Sequence, residues 1–275
     1  MSIPDRPQVW RARAFALVLV AALAGVLVFL TLPLVAIFVE AGPGELLSSL
    51  DDASALEALS LSLKATAISL LLVVAFGTPA AWLLATRRFP GRALAITLVE
   101  LPLVVPPAVA GIGLLAAVGP EGLLGGVLAE AGLELVFQTA GVIVALTFVA
   151  SPFYVRQALA AFGALDPVLI EASRTLGASE ARSFARVAVP NALPGLIAGG
   201  ALAWGRALGE FGATLVFAGS LSGVTQTAPL AIYGGFSDDF TGALALSALL
   251  VALSAALLLG VKLAAPAKVL GSARA

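Results

Sequence analysis

The sequence predicts an all-α integral membrane protein with six transmembrane helices, on three observations. The 275-residue chain is 60% hydrophobic and only 11% charged, which is too apolar for a water-soluble domain of that length. Stretches free of Asp, Glu, Lys and Arg cover 14–39, 65–86, 101–120, 135–155, 211–237 and 240–261. Each matches the roughly 20 helical residues needed to cross a hydrocarbon core. The segments between them also sort by the sign of their charge, as membrane loops do.

The first helix is placed at 14–38, after Arg11 and Arg13. Its apolar run exceeds the roughly 7–15 residues of a signal-peptide core, so it is expected to remain as a span. An acidic loop follows, with Glu40, Glu45, Asp51, Asp52 and Glu57. Its capping-like stretch Asp51–Glu57 is expected to form an interfacial helix. The second helix, 60–85, leads to Arg87, Arg88 and Arg92. The third, 93–118, contains Pro102, Pro106 and Pro107, which remove backbone donors and kink a helix. Two readings of those prolines stand: a packing kink, or a helix beside a transport path, where broken backbone is tolerated at membrane depth.

A second acidic loop holds Glu121, Glu130 and Glu134. Its glycines at 119, 122, 125, 126 and 132 suggest a short surface helix. The fourth helix, 138–162, the fifth, 191–218, and the sixth, 241–263, complete the set, with Asp238 and Asp239 before the last. Arg6, Arg11, Arg13, Arg87, Arg88, Arg92, Arg174, Arg182, Arg186, Lys268 and Arg274 thus share one side. The positive-inside rule makes that side, and both termini, cytoplasmic. Lys64 is the exception, just inside the second helix, where it can snorkel outward.

The chain has no cysteine and no histidine. Disulfides, thiol catalysis and His-based acid–base chemistry are excluded, and neither a catalytic nor a metal-binding residue is expected. No G-x-x-x-x-G-K-[ST] loop is present, so ATP binding must come from another polypeptide. Residues 1–275 read as one transmembrane domain with no appended soluble domain, and no nucleic-acid partner is expected.

The loop 163–190 between the fourth and fifth helices is polar and basic. Asp166-Pro167 is a helix-start signal, and Gly177 can end that helix in a left-handed conformation. A second helical stretch, Ser179–Val187, leads to Pro190. The first helix is amphipathic, with Leu169, Ala172 and Leu176 on one side and Glu171 and Arg174 on the other. Such an elbow is expected to dock on the bilayer or in a partner's groove.

This loop resembles the EAA loop of ABC importer permeases. That pattern is Glu-Ala-Ala, three residues, Gly, nine residues, Ile-x-Leu-Pro; here it reads Glu171-Ala172-Ser173, Gly177 and Val187-x-Val189-Pro190. The departures are Ser173 for Ala and two aliphatic exchanges. The resemblance implies a type I ABC importer permease fold in the cell (inner) membrane. It also implies cytoplasmic coupling helices, with Glu171, Ala172, Ser173, Arg174, Leu176, Gly177 and Pro190 engaging a cytoplasmic ABC ATPase. This chain would carry no cofactor, ATP and Mg²⁺ belonging to the partner subunit.

In the fifth helix, Arg206 and Glu210 lie at i and i+4 on one face. Each charge near the bilayer centre costs about 2.5–3.5 kcal/mol on insertion scales. Either they form an ion pair, with Glu100 joining, that fixes helix packing, or Arg206 lines a path for an anion. Gly195/Gly199 and Gly205/Gly209 have spacing suited to close helix contact.

The segments RALGEFGATLVFAG, TQTAPLAIY, LPLVVPPAVAGIGLL and SPFYVRQA are similar to the molybdate permease group. That similarity, from about residue 60 to 262, implies a homodimer in membrane lipid, two ATPases, and an extracytoplasmic oxyanion-binding protein delivering molybdate or tungstate. A sulfate or thiosulfate ABC permease is the alternative. An ion-coupled secondary transporter leaves the elbow unexplained, and an intramembrane enzyme has no catalytic residues to rest on.

Overall fold

The structure, a computed structural model, describes residues 6–42, 44 and 52–264. Every regular element among them is helical. In chain order these are α1 (Arg6–Glu40), α2 (Ala53–Thr86), α3 (Arg92–Glu100), α4 (Pro107–Val118), α5 (Gly125–Glu130) and α6 (Thr139–Gly163). They are followed by α7 (Pro167–Thr175), α8 (Glu180–Ser183), α9 (Val189–Leu208), α10 (Gly212–Ala218), α11 (Ala228–Gly235) and α12 (Phe240–Ala264). A 3-10 turn, Leu101–Leu103, extends α3, and a π-helical segment, Phe184–Ala188, joins α8 to α9. Glu45, Asp51, Lys268 and Arg274 lie outside the described residues, as do the side chains of Arg6, Arg11 and Arg13.

Five helices are long and apolar enough to span a membrane, and a bent pair makes a sixth when it is counted as one broken span. At the centre stands α6, packed against α2 on one side and α9 on the other. Small residues set these approaches. A Cβ on Gly77 would come within 2.9 Å of the Tyr154 ring, one on Gly199 within 2.9 Å of Gln157 Cβ, and one on Gly195 within 2.5 Å of Ala161 Cβ. Close packing of this kind substitutes for the hydrophobic effect, which is absent between helices in lipid. A Cβ on Gly205 would meet nothing within 4 Å among the described residues of this chain, so the Gly205/Gly209 pair makes no close helix contact within it.

Several boundaries differ from the expectation. Asp52 caps α2 directly, its carboxylate accepting from the Ser54 N–H at 2.9 Å. Residues 53–57 therefore form the first turns of the second span rather than a separate interfacial helix. The third span is not one kinked helix over 93–118: Arg92–Leu103 and Pro107–Val118 meet at 116°. Consecutive prolines explain the break, since each forces the residue before it out of the α region, and Pro106 is extended at φ −55°, ψ 138°. The fifth span, expected at 191–218, also breaks: α9 ends at Leu208 and α10 begins at Gly212. The charge-free run 211–237 is thus two short helices, α10 and α11, and not a membrane crossing. The short helix expected among the loop glycines is present as α5.

Candidate functional site

Two features draw the singled-out residues together. The first is the elbow. Asp166 accepts the Val168 N–H at 3.0 Å, and Pro167 opens α7. The helix closes in a Schellman arrangement: Gly177, at φ 83°, donates to the Arg174 carbonyl at 2.9 Å, and Ala178 donates to that of Ser173 at 3.0 Å. Ser179 then caps α8 through the Arg182 N–H.

Side chains stitch the two limbs. The Ser173 and Ser183 hydroxyls hydrogen-bond at 2.7 Å, and Ser173 also reaches the Ile170 carbonyl. The serine that departs from the Glu-Ala-Ala pattern therefore ties α7 to α8. Glu180 pairs with Arg87 from the α2–α3 loop, and with Arg174 at 3.8 Å. These groups are about half exposed, so each pair contributes at most about 1 kcal/mol.

The elbow is not hinged freely to the fifth span. From α8 the chain passes into a π-helical segment in which the Val189 N–H bonds the Phe184 carbonyl five residues back. Pro190 has no N–H to give, and its ring would crowd an α-helical carbonyl four residues earlier; the wider turn relieves both problems. Asn191 Nδ2 donates to the Val187 carbonyl at 2.7 Å. Phe184 stacks with Trp82 of α2 at 5.6 Å, and Trp82 meets Phe162 of α6 edge-on at 5.3 Å. Pairs of this kind contribute about 0.5–1.5 kcal/mol each beyond area. The apolar side of α7 faces outward: Leu169 is exposed and Leu176 is 88% exposed.

The second feature is the break in the fifth span. Arg206 Nη2 lies 2.5 Å from Glu210 Oε2, and Glu210 Oε1 accepts the Ala213 N–H at 2.8 Å. One carboxylate thus pairs with the helix before the break and caps the helix after it. Its side chain is 1% exposed, against 28% for Arg206. The break in the third span lies alongside: a Cβ on Gly212 would meet Pro107 Cβ at 2.7 Å, and one on Gly111 would meet Val216 Cβ at 2.7 Å. Pro106 and Pro107 are exposed.

Glu100 does not join Arg206 and Glu210. It lies 3.7 Å from Arg156 of α6, because α3 ends on α6 before the chain turns through the 116° bend. No spacing rule singles out Arg156 in the sequence as the partner of Glu100. Its signal was a lone cation well inside the 25-residue α6.

Residues 77–268 match the family described as binding-protein-dependent transport system inner membrane component. The chain is 44% identical over 244 residues to the molybdenum transport system permease protein ModB of Mycobacterium tuberculosis, covering 87% of this chain and 90% of that protein. It is 36% identical over 249 residues to the sulfate transport system permease protein CysW of Synechocystis, covering 90% of each. Among solved structures it is similar to a bacterial alginate ABC transporter in complex with a pentasaccharide-bound periplasmic protein, with a TM-score of 0.73, 18% identity and 94% of each chain covered.

Proposed function

The chain belongs to the binding-protein-dependent transport system inner membrane component family, and on that premise we propose that it is the membrane-spanning permease of an ATP-driven importer for molybdate or tungstate. It is a multi-pass inner membrane protein and a transport subunit, not an enzyme. The observation that carries the engine half of this reading is the elbow: a capped amphipathic helix whose apolar side faces away from its own bundle. Such a face requires a partner, and a cytoplasmic ATPase carrying ATP and Mg²⁺ supplies one. Leu169, Ala172 and Leu176 make the contact, Gly177 and the Ser173–Ser183 bond hold its shape, and Pro190 stands where the elbow enters the fifth span.

The cargo half rests on similarity. The molybdenum permease of M. tuberculosis is 44% identical and the sulfate permease of Synechocystis 36%, so sulfate is the second reading. The acidic outer loops would repel a free dianion, but an extracytoplasmic binding protein encloses it until it docks. A second copy of the chain completes the path. Arg206 keeps part of its guanidinium open beside the two breaks, where it can meet an anion. In vesicles with the ATPase and the binding protein, molybdate is expected to drive ATP turnover well above sulfate. Equal stimulation by the two anions sinks the molybdate reading and leaves the importer reading standing.

The sidedness of the basic loops supports an orientation with both termini and the Arg87–Arg92 loop in the cytoplasm. Because the chain has no cysteine, single cysteines can be introduced on a clean background. A cysteine at Arg88 is expected to react with an impermeant maleimide only from the cytoplasmic side, and one at Glu121 only from outside. The opposite pattern overturns the orientation.

A further inference from the structure

Behind the elbow lies a crevice of about 490 Å³. Its floor is apolar, made by Trp82 at the end of α2, Phe162 at the end of α6, and Ile170 of α7. Its rim is cationic, carrying Arg87, Arg88, Arg92 and Arg174. Glu171 is the one carboxylate in the lining. Arg87 and Arg174 are engaged with Glu180, and Arg92 Nε donates to the Leu84 carbonyl at 2.7 Å, leaving its two amino groups to serve another acceptor. Arg88 has no carboxylate partner among the described residues.

Helical spacing separates this crevice from the docking face. Leu169, Ala172 and Leu176 lie on one side of α7, whereas Pro167, Ile170, Glu171 and Arg174 lie on the other. Most of the crevice belongs to other elements: Trp82 to α2, Arg88 to the loop after it, Arg92 to α3 and Phe162 to α6. The crevice also sits at the ends of two spanning helices, α2 and α6.

We propose that this crevice seats the phosphate headgroup of an anionic phospholipid of the cytoplasmic leaflet, with its glycerol and upper acyl chain on Trp82, Phe162 and Ile170. A small soluble oxyanion would use the cationic rim but gain nothing from the apolar floor. An anionic lipid uses both, and the cytoplasmic leaflet presents such headgroups to basic residues beside a span. The assignment to that leaflet rests on the orientation proposed above; the binding itself does not.

The test is native mass spectrometry of the permease–ATPase complex in detergent, titrated with phosphatidylglycerol or phosphatidylcholine of matched chains. Phosphatidylglycerol is expected to be retained preferentially, and increasingly so as salt is lowered. Arg88→Gln alone touches no internal ion pair and is expected to lower the affinity about 5-fold; with Arg92→Gln added, the loss is about 30-fold, each cation contributing about 1 kcal/mol at a membrane surface. Arg88→Lys is expected to retain binding. Equal retention of the two lipids, or unchanged binding in both Gln variants, overturns the site. So does displacement of the lipid by inorganic phosphate, which would make it a soluble-anion site. Loss of the ATPase from the Gln variants with lipid binding intact would make it part of the docking surface instead. Measurement in micelles needs no assignment of sides, so a wrong orientation moves the site to the other leaflet without removing it.

Discussion

Glu210→Ala is expected to lower the stability of the chain by roughly 3 kcal/mol and to abolish uptake. The carboxylate is almost fully buried and serves two masters: the Arg206 guanidinium before the break and the Ala213 N–H after it. Removing one partner of a buried pair leaves an uncompensated charge and commonly destabilises by about 3–5 kcal/mol. The lower end applies here because Arg206 is 28% exposed and can turn partly toward water. Glu210→Gln retains an oxygen for the Ala213 N–H but not the charge, so it should fall between wild type and Ala. Arg206→Ala combined with Glu210→Ala removes the orphaned cation and should recover part of the stability without restoring transport. Thermal unfolding in detergent and uptake in vesicles check these outcomes. An unchanged unfolding midpoint for Glu210→Ala would show that the pair holds nothing together.

Gly177→Val is expected to uncouple ATP hydrolysis from uptake by about tenfold or more. At φ 83°, a side chain costs about 1–2 kcal/mol, and a β-branched one more. Nothing crowds the site, since no atom lies within 4 Å of an added Cβ, so the penalty is one of backbone conformation. Relieving it means undoing the Schellman closure and turning α8 away from α7. A change of about 1.4 kcal/mol is a factor of ten in the docked population. Leu176→Glu attacks the same interface by contact, placing a charge on its most exposed apolar residue. The readout is molybdate taken up per ATP hydrolysed, with the amount of co-purified ATPase as control. Normal uptake in both variants would remove the elbow from the coupling mechanism.

The elbow was legible in the sequence because its determinants are local. Asp166, Pro167, Gly177 and Ser179 each act on backbone groups within a few residues, so spacing alone fixes two helices and the turn between them. The spans were legible as apolar lengths, but hydropathy averaged over about 20 residues carries no direction. A helix that turns through 116° at Val104–Pro106 and one that continues straight look alike to it. The same blindness ran the fifth span straight through residues 209–211, joining α9 to α10. The Glu210 cap follows from an acceptor three residues before Ala213, which the i,i+4 reading of Arg206 and Glu210 overlooked. Glu100 found Arg156 through tertiary packing of α3 on α6, and no spacing rule relates residues that far apart.

The π-helical segment at Phe184–Ala188 has a consequence for how the fifth span is oriented about its own axis. One extra residue in a turn advances everything beyond it by about 100°, since an α-helix takes 3.6 residues per turn. The buried residues Ala192, Leu196, Gly199, Ala203 and Ala207 therefore belong to a periodicity that cannot be extrapolated from α8. Elbow and span are two helical phases joined by a fixed offset. Substitutions that tune the grip of one can accumulate without rotating the packing face of the other.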